Sequence, residues 1–424
     1  MDLNRKTAYE VLLDVEKNQA YSNLSLNNFI EKNQPDSPAF VRELVYGVLE
    51  NKLLLDHILG QLVASGLKKV KKQDLTLLRM GIYQLRSMNS VPEYAAVNET
   101  VKMAKVLARG RDKFINGVLR GYLKKQEEIT FPDKESNLVE YLSVVYSAEK
   151  WIVKLWLNAY GAEETEAILA DSNKAPELTI RTNLLKTTRD KLRELLENEG
   201  FEVGETKESP RGLVVKGSGL LATRAYGEGM FSVQDEASML ASEALDVQPG
   251  DTVIDVCAAP GGKSFATAEL MDGQGTVYSM DIYEHKLKLM EMQAKRTGVS
   301  NIQLICHDST QPREEFAEKA DRVLADVPCS GLGVIRRKPE IKYKGNEDLP
   351  ELVERQERIL AAAATYVKPG GTLVYSTCTI NPAENQQQVK KFLDKRNDFK
   401  MKEERQLLPT MGIDGFYICK MVRE

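Results

Sequence analysis

Apolar residues recur at three- and four-residue spacing through most of the first 125 residues. That spacing places them on one face of an α-helix. It predicts helices in RKTAYEVLLDVEKN, AFVRELVYGVLENKLLLDHILGQLV, QDLTLLRMGIYQLRSM, EYAAVNETVKMAKVLA and KFINGVLRGYLKK. Proline and glycine interrupt the pattern between several of these segments, as expected between helices. We therefore predict an all-α domain over residues 1–130, followed by a linker in EEITFPDKES.

Residues 140–230 have a mixed pattern. Two helical segments lead into ELTIRTN, where apolar and polar residues alternate as in a half-buried strand. An amphipathic helix in TTRDKLRELLENEG and a hairpin in FEVGETKESPRGLVVKG follow. The pattern predicts a small α+β domain. By analogy alone, domains of this kind serve as platforms for RNA.

Residues 231–424 alternate short apolar runs with helical segments, as a parallel sheet requires. We predict strands in TVIDVC, TVYSMD, IQLICHD, RVLADVP and TLVYST, and a last strand in GFYICKMV. The helices between them include EHKLKLMEMQAKRTG and PELVERQERILAAAATYV. The predicted fold class is α/β with a doubly wound sheet, whose ligands bind at the carboxyl ends of the strands.

The composition limits the class of protein. Of 424 residues, 42% are hydrophobic and 28% are charged, which is typical of a globular protein. No apolar run approaches the ~20 residues that cross a bilayer. The N-terminal segment carries acidic residues throughout and lacks the apolar region of a secretory signal. We expect a cytoplasmic protein with no membrane partner.

The cysteines do not form the pattern of a disulfide framework or of a metal site. They are odd in number, widely spaced and confined to the C-terminal part of the chain. No C-x-x-C pair occurs and only three histidines are present, so we predict no structural metal. The thiols are either inert and buried or reactive. They are Cys257, Cys306, Cys329, Cys378 and Cys419.

The net charge of −4 is unevenly distributed along the chain. Residues 1–130 hold 20 Lys and Arg against 15 Asp and Glu, a charge of +5 that leaves −9 for the rest. Basic clusters such as GLKKVKKQD and LARGRDKF lie in this part. On charge alone, RNA binding and a solvated helix face explain them equally well.

The loop CAAPGGKS, residues 257–264, follows the first strand of the predicted α/β domain. Gly261 and Gly262 lack side chains that would keep a ligand from the backbone amides, and we expect the next helix to start at Lys263. The loop matches neither G-x-G-x-x-G nor the Walker A pattern, which disfavours nicotinamide and nucleoside triphosphate sites. Taken alone, it is equally well explained as a tight strand-to-helix turn.

Carboxylates stand at the ends of the next two strands, at Asp281 and Asp308. An acid after the second strand of such a sheet can accept hydrogen bonds from ribose hydroxyls, and Asp308 is expected near an adenine edge. Either acid alone is more often a turn or helix cap. Together with the glycine loop they indicate an adenosine cofactor. We favour S-adenosylmethionine, because the loop is not built for a pyrophosphate.

Two cysteines follow the fourth and fifth predicted strands in matching positions, Cys329 and Cys378. In the sheet order common to methyltransferases that use S-adenosylmethionine, these two strands are neighbours, ~4.8 Å apart. Both thiols then face one pocket beside the cofactor. The alternative is that both are small buried apolar residues, as most free cysteines are.

Methylation of cytosine at C5 is a reaction that uses two such thiols. A thiolate that adds to C6 turns C5 into an enamine-like carbon able to accept a methyl group. A second thiol assists release, and Asp326 is placed to hydrogen-bond the N3 and N4 edge of the base. Lys263 is the nearest cation able to lower the pKa of the attacking thiol.

The segments DVCAAPGGKS, ADVPCSGLGVIRRKP, STCTINPAEN and DGFYICKM together resemble the RNA 5-methylcytosine methyltransferases of the Nol1/Nop2/Sun family. The segments YSNLSLNN and RELVYGVLENKLLLDHIL resemble the NusB-like RNA-binding domain fused to that catalytic unit in bacterial 16S rRNA methyltransferases. The resemblance spans nearly the whole chain. It implies a class I, Rossmann-like methyltransferase domain preceded by a NusB-like domain and the small α+β domain. The tail departs slightly, with GFY where a doubled Phe is commoner.

The resemblance also implies roles for individual residues. Cys378 is the expected nucleophile, and Cys329 the residue that helps release the product. Spacing leaves these two roles open, since DNA cytosine methyltransferases attack with the cysteine that follows proline. Lys263 and Asp326 are expected to lie close to both the cofactor and the substrate. The implied cofactor-binding residues are Cys257, Ala258, Ala259, Pro260, Gly261, Gly262, Lys263, Asp281, Asp308 and Asp326.

The implied substrate is cytosine 967 of 16S rRNA, in free RNA or in a small-subunit assembly intermediate. A base inside folded RNA must be unstacked to reach a pocket, at a cost of a few kcal/mol. Arg336 and Arg337 are candidates to hold the flanking phosphates, although exposed arginines are more often only solvated. The segment VQDEAS, near Gln234, is a further candidate RNA contact.

Two other functions fit parts of the sequence. A binding protein would use the helical domain in transcription or ribosome assembly, with a cofactor domain that does no chemistry. A tRNA or DNA cytosine methyltransferase would share the catalytic half, although the helical domain argues against it by resemblance. Turnover of the cofactor on unmodified small-subunit RNA separates the enzyme from the binding protein.

Overall fold

The computed structural model describes residues 1–424 and contains sixteen α-helices and eleven strands. The chain forms two compact units. The first consists of Met1–Lys174 and Ile335–Gly345, and the second of Ala175–Val334 and Asn346–Glu424. Ile335–Gly345 is therefore an insertion that packs with the N-terminal residues although it follows Cys329 closely in the chain.

The first unit is helical and has one apolar core, which includes the fully buried Leu44, Leu55 and Leu77. The predicted helices are present, but the long segment of residues 39–63 forms two helices that meet at Asn51. The Asn51 side chain donates to the Gly47 carbonyl, which completes the end of the earlier helix. The helices are α1 Leu3–Asn18, α2 Ser22–Asn33, α3 Pro38–Glu50, α4 Lys52–Leu62, α5 Lys72–Ser87, α6 Glu93–Leu107, α7 Asp112–Lys125, α8 Leu138–Val145 and α9 Lys150–Ser172.

The second unit begins with a small four-stranded antiparallel sheet in the order β2-β3-β1-β4. The predicted strand, helix and hairpin are all present. An apolar cluster that includes Ile180, Leu192 and Phe231 joins the sheet to its helix. The elements are β1 Thr179–Thr182, α10 Arg189–Asn198, β2 Glu202–Glu205, β3 Gly212–Lys216, α11 Arg224–Gly227 and β4 Phe231–Val233.

A seven-stranded sheet with helices follows, in the order β10-β11-β9-β8-β5-β6-β7. Its elements are α12 Glu236–Glu243, β5 Thr252–Asp255, α13 Gly262–Leu270, β6 Thr276–Asp281, α14 Glu284–Thr297, β7 Ile302–Cys306, β8 Ala320–Asp326, α15 Leu349–Tyr366, β9 Val367–Thr377, α16 Gln386–Lys395, β10 Phe399–Leu407 and β11 Phe416–Arg423. Strands β5 to β9 pair in parallel, whereas β11 pairs antiparallel with β9 and β10 antiparallel with β11. The α/β fold class is confirmed.

The sheet order brings the sequence motifs to one edge. Strand β8 lies between β5 and β9, and Asp326 pairs in register with Ser376. Because these strands are parallel, the segments that follow their carboxyl ends start from the same edge of the sheet. The loops carrying Cys329 and Cys378 therefore begin side by side, next to the glycine loop after β5.

The predicted domain boundaries differ from the division into units. The unit boundary falls at Lys174, and α8 and α9, which we expected in the small α+β domain, belong to the N-terminal unit. The Leu53 amide at the start of α4 donates to the Ser147 hydroxyl at 2.7 Å, close to the end of α8. The boundaries of the domains at 1–130, 140–230 and 231–424 stay predictions. None of the helices combines the length and the apolar character needed to cross a bilayer.

Candidate active site

Two thiols meet at the carboxyl edge of the large sheet. Cys329 follows β8 and Cys378 directly follows β9, and their sulfur atoms are 3.3 Å apart. Both residues are half-buried. The two sulfurs are thus in contact within one site, as expected from adjacent parallel strands.

An ion pair lies next to the thiols. The Lys263 ammonium donates to one carboxylate oxygen of Asp326 at 2.7 Å, and the Ser376 hydroxyl donates to the other at 2.8 Å. The ammonium also lies 5.1 Å from the centre of the Phe416 ring. These contacts fix the Asp326 carboxylate, and each of its oxygens keeps a lone pair for a further donor.

The charges around Lys263 keep it protonated. Burial lowers its pKa, but the charge and hydrogen bond of Asp326, and then the charge on Cys378, raise the pKa above its usual value. The hydrogen bond with Cys378, then burial, raises the pKa of the Cys329 thiol well above its usual value. The site therefore holds a cation beside the two thiols.

The glycine loop connects β5 to α13 and packs against the end of β6. The Ala259 amide donates to one oxygen of Asp281 at 3.1 Å, and the Tyr283 amide donates to the other at 3.0 Å. Gly261 has φ +102°, and a Cβ there would lie 2.5 Å from the Phe265 ring. Only glycine fits this position, because the positive φ and the Phe265 ring both exclude a side chain.

Asp308 lies beyond the end of β7 and is exposed. One of its oxygens accepts hydrogen bonds from the amide and the hydroxyl of Thr310, at 3.0 and 2.9 Å, and these bonds lower the pKa of its carboxyl. The neighbouring His307 amide donates to the Asp281 carbonyl at 3.0 Å. Asp308 is therefore a local turn cap beside Asp281, and its place at an adenine edge stays a prediction.

Asp255, at the end of β5, is a site residue that the sequence analysis missed. It is fully buried and accepts a hydrogen bond from the Ser264 hydroxyl at 2.6 Å. Burial raises the pKa of its carboxyl to about 7. Burial, followed by the charges of Asp255 and Asp326, raises the pKa of the adjacent Cys257 thiol well above its usual value, so Cys257 is not a reactive thiolate. The feature of the sequence that could have identified Asp255 is its place at the end of a predicted strand.

Glu384, in the segment NPAEN, forms hydrogen bonds with both of the loops that carry the cysteines. It is fully buried, and its carboxylate accepts from the Ser330 amide at 2.8 Å and the Ser330 hydroxyl at 2.5 Å. It also accepts from Asn381 at 2.9 Å and Gln356 at 3.0 Å. Ser330 follows Cys329, and Asn381 lies in the loop of Cys378. The Glu384 carboxylate therefore positions both thiols, a role the sequence analysis missed.

A close backbone contact adds to this arrangement. The Gly333 amide donates to the Cys378 carbonyl at 3.1 Å, and the Gly415 amide donates to the Gly333 carbonyl at 2.8 Å. A Cβ at Gly333 would lie 1.9 Å from the Gly415 carbonyl oxygen. Any side chain at position 333 would therefore push the loop of Cys329 away from the backbone of Gly415 and Cys378.

A buried ion pair supports the glycine loop from the small sheet. Arg181 on β1 donates to Glu269 on α13 at 2.9 and 2.8 Å, and both side chains are fully buried. Arg181 also donates to the Gly262 carbonyl at 2.7 Å and to the Gln234 side chain. The Gln234 side chain is buried and accepts this hydrogen bond, so it is not free to bind RNA. Contact of the rest of the segment VQDEAS with RNA stays a prediction.

Comparison with protein families relates this site to known enzymes. Residues 242–422 match the model of the 16S rRNA methyltransferase RsmB/F, residues 2–124 match the NusB family, and residues 148–220 match the ferredoxin-like domain of RsmF/B-like methyltransferases. The chain is also 40% identical to the probable ribosomal RNA small subunit methyltransferase B of Bacillus subtilis, over 98% of both chains.

The chain belongs to the ribosomal RNA small subunit methyltransferase B family. The member of that name from Vibrio cholerae is 34% identical, with 92% of this chain and 91% of that protein covered. The crystal structure of PH0851 has the same fold over 99% of this chain and 98% of its own, with a TM-score of 0.84 at 24% identity. A methyltransferase homologue from Pyrococcus horikoshii has a TM-score of 0.61 at 27% identity, over 67% of this chain and 98% of its own.

The predicted RNA-contacting arginines of this rRNA methyltransferase lie in the inserted segment. Arg336 and Arg337 belong to the first compact unit, whereas the two thiols, Lys263 and Asp326 belong to the second. Both arginines are half-buried and each has a partner within the protein. Contact of these two side chains with phosphates stays a prediction.

Substitution of Glu384 by glutamine tests its role in positioning. The NH2 group of glutamine would face N–H and O–H groups that now donate to the carboxylate, so hydrogen bonds would be lost. A shift of about 1 Å in the position of a reacting group costs ~10²-fold in rate. We expect the methyl-transfer rate of Glu384→Gln to fall ~10²-fold. Glu403→Gln, at an exposed position on β10, serves as the matched control. Rates are compared under conditions where thermal unfolding shows both variants folded. A Glu384→Gln rate equal to that of wild type would remove the positioning role.

Proposed function

We propose that this chain transfers a methyl group from S-adenosylmethionine to C5 of a cytosine in 16S rRNA, through a covalent bond between Cys378 and C6. The resemblance to the Nol1/Nop2/Sun family implies cytosine 967. The observation that carries the proposal is the 3.3 Å contact between the sulfurs of Cys329 and Cys378 at the ends of adjacent parallel strands. Methyl transfer to an amine or hydroxyl needs no pair of thiols.

The residues of the glycine loop fit an adenosine cofactor. The Asp281 carboxylate accepts two amide hydrogen bonds and keeps further lone pairs for ribose hydroxyls. The first amides of α13 have no partner within the helix and would bind the carboxylate of the cofactor. Bound S-adenosylmethionine supplies an electrophilic methyl group.

Each thiol performs a separate step. The Cys378 thiolate would form a bond to C6, and the C5–C6 π electrons would move to C5, which takes the methyl group as its bond to the cofactor's sulfur breaks and leaves S-adenosylhomocysteine. A base then takes the C5 proton, the C5–H electrons restore the double bond, and the S–C6 bond breaks to release Cys378 as thiolate. Cys329 assists this release.

The family resemblance assigns the attack to Cys378, and the contacts in the site are compatible with that role. When Cys329 is the donor in the 3.3 Å contact, its S–H points toward the Cys378 sulfur and stabilises negative charge there. Besides Asp326, the charge on Cys378 contributes to the raised pKa of Lys263, and the ammonium would in turn stabilise a Cys378 thiolate.

The Asp326 carboxyl is positioned for the edge of the base. Its two oxygens are held by Lys263 and Ser376 and keep lone pairs for the N4 amino group of cytosine. Such a contact distinguishes cytosine from uracil, which carries an acceptor at that position. Lys263 compensates the carboxylate charge while the thiolate adds to the ring.

The variant Lys263→Met tests the role of the ammonium. Loss of the cation leaves Asp326 and a Cys378 thiolate without compensation, so we expect methyl transfer to fall ~10²–10³-fold at saturating cofactor and RNA. Lys288→Met, at an exposed position on α14, is the matched control. The comparison is made by single-turnover kinetics. A rate within twofold of wild type would remove Lys263 from the chemistry.

The proposed reaction is tested with unmethylated RNA and S-adenosylmethionine carrying a labelled methyl group. We expect label in 16S rRNA, offered free or in small-subunit particles, and a single cytosine protected from bisulfite at position 967. A tRNA mixture serves as the competing substrate. Label in tRNA alone, or in a base other than cytosine, would contradict the proposal.

A further inference from the structure

An exposed aromatic side chain in the first unit lies among basic side chains. Tyr21 caps the start of α2 and is 48% exposed. The ammonium groups of Lys338 and Lys344 lie 5.2 and 5.5 Å from the centre of its ring. Lys338 is half-buried and Lys344 is exposed. The Tyr21 ring and the ammonium groups of Lys338 and Lys344 thus lie together at the surface of the first unit.

The inserted segment Ile335–Gly345 fixes this cluster in place. Glu340 accepts hydrogen bonds from the amide and the hydroxyl of Ser22, at 3.2 and 2.7 Å, at the start of the helix that Tyr21 caps. Lys342 is buried and donates to the Glu50 carbonyl and to the Asn173 side chain, at 2.7 Å each. The backbone that carries the two lysines is therefore held by hydrogen bonds to Ser22, Glu50 and Asn173.

The inserted segment is strongly basic. Its eleven residues contain five Lys or Arg and one Glu, a net charge of +4. The Lys342 amine donates to acceptors inside the protein, and the Glu340 carboxylate accepts from Ser22. Lys338 and Lys344 remain at the surface beside Tyr21. A polyanion is the partner that this charge favours.

We propose that Tyr21, Lys338 and Lys344 form a nucleotide-binding cluster. It binds an unpaired stretch of the RNA substrate that does not enter the site of the two thiols. A base stacks on the Tyr21 ring, and the two ammonium groups pair with the adjoining phosphates. The proposal rests on the proposed function for the identity of the RNA.

Stacking on Tyr21 requires at least one lysine to leave the ring. That exchange is favourable, because a base stacked on an aromatic ring contributes more than an exposed contact between a cation and a ring. The displaced ammonium then gains a phosphate, which is a stronger partner than the ring. An acidic peptide would satisfy the lysines and leave the aromatic face unused, so RNA accounts for the whole cluster.

RNA binding by the full-length protein tests the cluster. The probe is a single-stranded RNA carrying the target cytosine and its flanks, followed by fluorescence anisotropy over a series of salt concentrations. Tyr21→Ala is expected to weaken binding about tenfold. The double variant Lys338→Ala/Lys344→Ala is expected to reduce the slope of log Kd against log salt by about 1.4, since each single-strand phosphate contact contributes ~0.7.

Two further variants separate recognition from structure. Tyr21→Phe keeps the stacking face and is expected to bind as wild type, and Tyr94→Ala removes another exposed tyrosine of the same unit without effect. At saturating RNA, kcat of Tyr21→Ala is expected to stay unchanged while KM rises about tenfold. Wild-type affinity and salt slope in both Tyr21→Ala and the double lysine variant would overturn the cluster. A loss of binding confined to an acidic peptide probe would overturn it as well.

The failure of this proposal is distinguishable from the failure of the methylation proposal. The binding measurement needs no methyl transfer, so weaker RNA binding of the variants supports the cluster even if no cytosine is methylated. Methylation of cytosine by wild type, together with unchanged RNA binding in the variants, overturns the cluster and leaves the reaction intact.

Discussion

Replacement of Cys378 by alanine will abolish methyl transfer while cofactor binding stays intact. Without the sulfur no bond to C6 forms, and C5 stays the weakly nucleophilic carbon of an aromatic ring. Loss of a nucleophile costs ~10⁴–10⁶-fold, so we expect no turnover above background. The glycine loop and Asp281 do not depend on the Cys378 side chain, and we expect the Kd for S-adenosylmethionine to change less than about twofold. Single-turnover methylation and calorimetric titration give the two values.

Cys306→Ala provides the control for Cys378→Ala. Cys306 is an exposed thiol at the end of β7 and has no place in the proposed reaction. We expect its rate to equal that of wild type. A Cys378→Ala enzyme that retains more than a few per cent of the activity would exclude Cys378 as the nucleophile.

Replacement of Cys329 by alanine will trap the enzyme on its RNA. The substitution leaves Cys378 able to attack C6 but removes the thiol that contacts it at 3.3 Å and assists release. Proton transfer by a positioned group contributes ~10²–10⁴-fold, so breakdown of the adduct slows by that factor. We expect a band of protein joined to labelled RNA on denaturing gels, which wild type does not accumulate.

The double variant Cys329→Ala/Cys378→Ala controls for this adduct. It lacks the attacking sulfur and is expected to give no joined band. If Cys329→Ala is instead inactive and forms no adduct, whereas Cys378→Ala accumulates one, the roles of the two thiols are reversed.

The helices and parallel strands were predictable because their apolar periodicity is strong. Strand β10 was missed, since most of its residues are exposed at the edge of the sheet and no alternation is visible. The division of residues 39–63 at Asn51 was missed as well, because the apolar spacing continues across it. Periodicity reports which face is buried, and it does not report a local change of direction.

The contact between Cys329 and Cys378 was predictable from one rule, that adjacent parallel strands end at the same edge. Glu384 and Arg181 could not be found in this way, because their partners come from segments far apart in the chain. The segment VQDEAS was a candidate RNA contact because it lies near a domain junction, and the hydrogen bond from the buried Arg181 to its Gln234 could not be read from the sequence.

The packing of Ile335–Gly345 with the N-terminal residues was not predictable either. Its five basic residues indicate a solvated loop, since lysine and arginine are rarely buried. Lys342 is an exception, because two carbonyls and the Asn173 side chain accept from its amine, and burial lowers its pKa to about 7. Only tertiary structure reveals such a set of acceptors.

The bond between Cys378 and C6 is tested most directly with RNA in which the target cytosine is replaced by 5-fluorocytosine. Fluorine at C5 cannot leave as a proton, so release stops after methyl transfer and wild-type enzyme stays joined to the RNA. Digestion and mass spectrometry then identify the attached residue. We predict a methylated 5-fluorocytosine joined to the peptide that contains Cys378. Attachment at Cys329, or methylation of ordinary RNA with no joined product from the fluorinated RNA, would contradict the account.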